Sequence, residues 1–223
     1  MQPESGSDAY VTLQTDAFSA HQQVIARCRG ARSVLDVGCS SGEIAAEVTR
    51  RFGAVVDGIE ADPEAAAAAA HRCRRVLTGD VDAMDLTALE GAHYDVIVLA
   101  DILEHLAEPG RALQRLTPLL AADGRLVIST PNVANWSIRL LLLAGRWDYN
   151  DRGILDRTHL HLFTRRTLLD MLGGSGFRVE EMDVTCPLPV LRREPFTRWA
   201  HGAARARPTL LAYQFIVTAR RDG

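Results

Sequence analysis

The sequence predicts one α/β domain built on a mostly parallel sheet with helices on both faces. Three observations predict it. Short apolar runs alternate with helical patterns from Ser33 to Thr130, the rhythm of a doubly wound sheet. The first run ends in a glycine turn, VGCSSG, that opens a helix. The 223 residues suit a single large core with a small appendage.

The elements follow in order. Residues 1–9 read as a polar tail, and Thr12 to Arg29 as a helix with Phe18, Val24 and Ile25 turned inward. Together, residues 1–29 form an N-terminal tail and helix before a main domain over 30–223. Ser33–Val37 is a buried strand, Glu43–Phe52 a helix and Ala54–Ile59 a second strand. Asp62 caps the next helix, with Pro63 in its first turn. This helix runs through six alanines to Arg72, Arg74 and Arg75, cations that suit its C-terminal dipole. Val76–Thr78 is a brief third strand and Tyr94–Leu99 a fourth. Pro109–Leu120 is a helix, and Gly124–Thr130 a fifth strand.

Residues 132–163 then break the alternation and read as an inserted lid, with an apolar helix from Trp136 to Ala144. Thr164 caps a helix to Leu172, with Phe163 and Leu168 placed as a hydrophobic staple. Phe177–Val184 and Leu211–Ala219 close the sheet. A Pro- and Arg-rich connection between them holds a short helix near Phe196–Ala206.

Composition excludes several chemistries. A net charge of −3 gives no electrostatic footprint for nucleic acid or an anionic membrane. All 25 basic residues are Arg, so Schiff-base catalysis and a P-loop, both dependent on lysine, are out. Cys28, Cys39, Cys73 and Cys186 make no C-x-x-C pair and no zinc spacing. The start MQPESGSDAY does not read as a signal peptide, and the apolar run Leu140–Ala144 is too short to span a bilayer. Free thiols in a reducing cytoplasm are the expectation.

The loop after the first strand, VLDVGCSSGEIAAEV (34–48), carries the strongest signal. Gly38 and Gly42 bracket a turn that lets backbone approach a ligand at the strand's carboxyl end. Glu60, ending the second strand, stands where an acid reaches both ribose hydroxyls of a nucleotide-like ligand. The G-x-x-x-G spacing and Asp36 before the turn disfavour a pyrophosphate. They suit a ligand with an adenosine end and a positive centre.

In these segments the chain resembles the class I S-adenosylmethionine-dependent methyltransferases. LDVGCSSG is similar to their glycine motif and GIEAD (58–62) to the segment with the ribose-binding acid. TGDVDAMD (78–85) resembles their adenine-binding turn. YDVIVLADILEHLAEP (94–109) and GRLVISTPN (124–132) resemble the fourth- and fifth-strand motifs. The resemblance covers roughly residues 30–184. It implies a Rossmann-like, doubly wound seven-stranded sheet with its last strand antiparallel, and S-adenosyl-L-methionine as cofactor. It implies cofactor binding by Asp36, Gly38, Cys39, Ser40, Gly42, Glu60, Ala61, Asp80, Val81, Ala100 and His105, with Asp80 on the adenine amino group and Val81 against the ring. Ser40 departs from the commoner glycine but is small enough for the turn.

Methyl transfer to a hydroxyl needs a proton acceptor, and neutral His suits that near pH 7. Two places offer one. His105, in EHL after the fourth strand, is either the base or part of the cofactor wall. His159 lies in LDRTHLHLFT (155–164), which resembles a segment of methyltransferases acting on sugars, quinone precursors and natural products. It is either a base in the acceptor pocket or a structural bond that holds the lid. If this stretch is extended, His159 and His161 share a side. No third ligand stands at a matching spacing, so no metal is expected. The apolar lid helix suits a partly hydrophobic acceptor, core packing or a homodimer contact. The resulting expectation is a small-molecule methyltransferase, acting on oxygen, without nucleic-acid or membrane partners. Its rival is a non-catalytic S-adenosylmethionine-binding subunit that regulates a partner enzyme.

Overall fold

In the computed structural model, residues 16–187 and 194–222 are described. The start of the expected first helix, with the polar tail before it, and part of the Pro- and Arg-rich connection lie outside them. The first helix, α1, is Ala20–Arg27, capped by the Ser19 hydroxyl. There follow β1 (Ser33–Val37), α2 (Glu43–Phe52), β2 (Val55–Glu60), α3 (Pro63–Ala69), β3 (Arg75–Thr78) and β4 (Tyr94–Ala100). After these come α4 (Pro109–Leu116), β5 (Leu120–Pro131), α5 (Trp136–Leu143), α6 (Arg165–Gly174) and β6 (Phe177–Thr185). The last elements are α7 (Glu194–Ala206), α8 (Pro208–Leu211) and β7 (Gln214–Arg221).

The seven strands form one sheet in the order β3-β2-β1-β4-β5-β7-β6. β1 to β5 pair in parallel, and β7 runs antiparallel between β5 and β6, as expected. Strand residues alternate between two apolar layers, as the period of two requires. Leu35, Val37, Ile97, Leu99, Leu126 and Ile128 face the layer holding Leu113 and Leu116 of α4 and Leu168 and Leu172 of α6. Val34, Val56, Val96, Val98 and Val127 face α1 through Val24 and Ile25, and α2 through Ala45 and Val48. Phe163 and Leu168, the expected staple, are both buried in the first layer, and the Thr164–Thr167 capping box fixes the start of α6.

Several boundaries moved. α3 ends at Ala69, not at the arginines. Arg74 and Arg75 instead carry their guanidinium groups to the buried Asp57 carboxylate, Arg74 through two bonds of 2.8 and 2.5 Å. Tyr94 donates to the same group at 2.6 Å. Burial acts to raise the Asp57 carboxyl, yet these donors together hold it below its ordinary range. A buried charge that needs partners has outcompeted the helix dipole. α4 stops at Leu116 and tightens into a 3₁₀ turn over Thr117–Leu119, because Pro118 cannot continue the α-helical bonding. β5 starts earlier than expected, at Leu120. At the other end of the chain, Leu211 belongs to α8 rather than to β7.

The connection from β5 to α6 holds α5. Only Ile138 of that helix is buried, while Trp136 is 49%, Leu140 55% and Leu143 84% exposed. Core packing therefore does not account for its apolar composition. No helix among the described residues is long and apolar enough to cross a membrane.

Candidate active site

Strand order reverses between β1 and β4. Loops leaving the carboxyl ends of those strands part there, and ligands of open α/β sheets bind in that crevice. The glycine turn occupies one wall. Gly38 has φ +71°, and a Cβ on it would lie 1.9 Å from Ile102 Cδ1, so only glycine fits between this turn and the loop after β4. Its N–H and that of Cys39 bond to Ile59 O at 2.8 and 3.1 Å. Ser40 is left-handed at φ +48°, which is the conformation a glycine would adopt without strain. Gly42 caps α2.

Glu60 does more than project from β2. One carboxylate oxygen accepts Ser40 N–H at 2.7 Å and the other Asp62 N–H at 2.9 Å, so this acid also braces the turn. Ala61 beside it is exposed and Cys39 is buried. Asp36 is the penultimate residue of β1, 1% exposed, with Oδ2 lacking a hydrogen-bond partner. Burial first, then the charges of Glu60 and Glu43, push its carboxyl up to about 7. Asp80 follows β3 on the same sheet edge. Its side chain accepts Asp82 N–H at 2.9 Å and its carbonyl accepts Met84 N–H at 2.7 Å, forming a tight turn. The next residue, Val81, is buried, and its carbonyl is tied to Arg115. Ala100 is half-buried at the tip of β4.

The other wall unites the two histidine segments. Leu160 and His161 donate their backbone N–H groups to Glu104 O at 2.8 and 3.0 Å, docking the stretch 158–161 on the loop after β4. The rings of His105 and His159 meet edge to face, centres 4.8 Å apart. The stretch is not extended: His159 N–H closes a turn onto Asp156 O. The two imidazoles of LDRTHLHLFT therefore diverge, and His161 reaches Ala107 O at 3.1 Å instead.

His159 Nδ1 lies 3.1 Å from Ile154 O and His105 Nδ1 3.3 Å from Thr158 O. A carbonyl only accepts, so the neutral His159 ring carries its proton on Nδ1 and keeps a lone pair on Nε2, while His105 Nδ1 lies 3.3 Å from the Thr158 hydroxyl as well. Burial lowers the His159 pKa most, the Ile154 carbonyl opposes it and the His105 charge adds to the lowering. The imidazole is thus neutral near pH 7.

Sequence reasoning assigned no role to the two acids here and did not find a third imidazole, His21, within reach of the Asp101 charge. Glu104 is 1% exposed. Its Oε2 accepts the Thr130 hydroxyl at 3.0 Å while Oε1 is buried without a partner. Burial, then the Asp101 charge, raises this carboxyl well above the ordinary range. Asp101 sits at φ +54°, and its Oδ1 accepts from Ser129 Oγ at 2.8 Å and Gln214 Nε2 at 2.9 Å. His21 of α1 faces the Asp101 and Glu43 charges and is lowered chiefly by burial. No motif surrounds His21 in the chain, and only folding brings α1 to this edge. Glu104 was visible in the EHL segment; its burial was not. Among the described residues, Glu104, His105 and His159 also present ligand atoms all within 4.8 Å of one another.

An open α/β sheet of this order, with the family match that follows, defines a class I methyltransferase whose cofactor is S-adenosyl-L-methionine. Residues 12–182 match the family described as "Methyltransferase domain", and the chain belongs to it. It is 30% identical over 159 residues to the ubiquinone biosynthesis O-methyltransferase of Aeromonas salmonicida (strain A449), covering 68% of this chain and 65% of that relative's length. The similarly named protein of Xanthomonas axonopodis pv. citri (strain 306) is 28% identical over 192 residues, covering 82% and 75%. A SAM-dependent methyltransferase from Archaeoglobus fulgidus shares the fold with a TM-score of 0.61 at 19% identity, over 90% of this chain and 94% of that one.

Proposed function

We infer that the protein transfers the methyl group of S-adenosylmethionine to a hydroxyl oxygen of a small, partly apolar acceptor. The observation that carries this reading is the His105–His159 pair, in which His159 keeps the Nε2 lone pair for a proton. One of the two accepts the hydroxyl proton as oxygen attacks the sulfonium methyl in line. The sulfonium carries its own leaving group, so the chain's main work is alignment and exclusion of water. Glu60 holds the ribose, Asp80 and Val81 the adenine. Residues 132–163 act as the lid, with the exposed face of α5 beside the acceptor's apolar part. Relatives named for O-methylation in ubiquinone biosynthesis support oxygen as the target and quinone-like phenols as first acceptors to try. The test is formation of S-adenosylhomocysteine and a methyl ether with a panel of phenolic, sugar and natural-product hydroxyls. Cofactor binding without any turnover would favour the regulatory-subunit alternative.

A second reading rests on the Glu104–His105–His159 cluster. One nitrogen from each imidazole and one carboxylate oxygen make a donor set for a divalent ion with open positions. Such an ion would polarise the acceptor hydroxyl in place of a general base.

A further inference from the structure

Tyr213 stands immediately before β7, and its backbone is pinned on two sides. Its N–H donates to Thr185 O at 2.8 Å, and its carbonyl accepts Asn132 N–H at 2.9 Å. These bonds fix it to the end of β6 and to the first residue after β5. Its side chain crosses to residues 153 and 154. Gly153 has φ +97°, and a Cβ there would lie 2.8 Å from the Tyr213 hydroxyl oxygen. Ile154 is buried and packs with Ile138 and Leu155, with Tyr213 against that cluster. The Ile154 carbonyl takes the His159 ring.

The Gly153–Ile154 segment therefore lies between the phenol oxygen against Gly153 and the imidazole on the Ile154 carbonyl. We propose that Tyr213 is the positioning residue for His159: its phenol, seated against Gly153 and the Ile154 cluster, holds this segment so that the Ile154 carbonyl fixes the Nδ1–H tautomer and leaves Nε2 directed at the acceptor. The sequence around Tyr213 gives no hint of this, because the two partners meet only once β7 has inserted between β5 and β6. The consequence is a mechanical link. Whatever displaces the Gly153–Ile154 segment from the sheet edge also releases the tautomer of His159. This inference rests on the proposed function only in taking His159 as a proton acceptor.

The test separates the two. Tyr213→Phe keeps the ring and removes the oxygen. Nitrogen-15 spectra of the imidazoles should show neutral His159 as the Nδ1–H form in the parent and as a mixture of both tautomers in the variant, whether or not an acceptor is known. With an acceptor in hand, kcat should fall by about 3- to 10-fold, the scale of one lost polar contact, while S-adenosylmethionine affinity stays unchanged. Gly153→Ala should cost more, because its Cβ strikes the phenol oxygen. In the Tyr213→Phe background that further loss should shrink, since the struck atom is gone. An unchanged His159 tautomer in folded Tyr213→Phe, or strictly additive effects of the two substitutions, would overturn the positioning role. A tautomer that responds in a protein showing no methyl transfer would uphold it and remove the functional reading instead.

Discussion

The imidazole of His105 meets the imidazole of His159 edge to face, ring centres 4.8 Å apart. One comes from the loop after β4, the other from the connection between β5 and α6, and backbone bonds from Leu160 and His161 to Glu104 O lock the two segments together. Two candidate bases that the sequence leaves as alternatives are thus one unit. Groups that act as a unit do not contribute additively, so the loss of either ring disturbs the other's environment.

The first prediction follows from that contact. His159→Gln keeps polarity and much of the size but cannot titrate, and general-base catalysis is worth about 10²–10⁴ in rate. Turnover should fall by that order with cofactor affinity nearly unchanged. His105→Gln should fall less if His159 is the base, and the double variant should lose less than the product of the two. The base acts when neutral. Burial lowers the His159 pKa, so the rate should rise with pH through a limb below the ordinary histidine value and level off near neutrality. In the Gln variant that limb disappears. Steady-state kinetics across pH 5 to 8 check this. Turnover of both variants within about threefold of the parent would leave proximity alone to carry the acceleration.

Glu60 makes the second prediction. Its carboxylate already accepts Ser40 and Asp62 N–H groups, and the outer lone pairs remain for two ribose hydroxyls. Charge-assisted bonds are worth about 1.5–3 kcal/mol each. Glu60→Ala should weaken S-adenosylmethionine binding at least tenfold by titration calorimetry. Glu60→Gln should lose less, because one amide oxygen can still accept from the turn. Equal affinity in all three proteins would remove Glu60 from the site.

Much of this site was legible because it follows local rules. Gly38 and Gly42 announce a turn, Asp62 and Pro63 announce a helix start, and the alternation of Leu35 and Val37 with Val34 announces a strand covered on both faces. The unread parts depend on contacts between distant segments. Asp57 drew Arg74 and Arg75 off the end of α3 because a buried carboxylate must be paired. Buried Glu104 and half-buried Asp101 became neighbours only when β4, β5 and β7 aligned Thr130, Ser129 and Gln214 around them. His21 reaches the site from a helix with no motif of its own.

The third prediction concerns metal. Turnover through a histidine base should survive EDTA, and elemental analysis of active protein should find no stoichiometric divalent ion. The cluster of Glu104, His105 and His159 makes the opposite result informative. Loss of activity on chelation, restored by magnesium or zinc and abolished by Glu104→Gln, would establish the metal-assisted reading.

Asp36 supplies the last prediction, which couples stability to cofactor binding. Its carboxyl is pushed up to about 7 in the folded chain by burial and by the Glu60 and Glu43 charges, against about 3.9 in an unfolded one. A raised folded pKa means the native state holds the proton longer. The stability contribution is therefore full below about pH 4 and is lost as pH rises toward 7, by an amount on the order of 4 kcal/mol at most. Asp36→Asn removes this titration. Its stability relative to the parent should increase between pH 4.5 and 8 in urea unfolding, with the slope against denaturant unchanged. Binding should move the other way. The cofactor brings a positive centre, which favours ionised Asp36 and lowers its pKa on binding. The parent should therefore bind S-adenosylmethionine more tightly as pH rises from 6 to 8, releasing a proton that calorimetry in buffers of different ionisation heat detects. Asp36→Asn should bind more weakly, with no such pH dependence and no release. A parent affinity that is flat over this range would place the Asp36 carboxylate out of reach of the cofactor's charge.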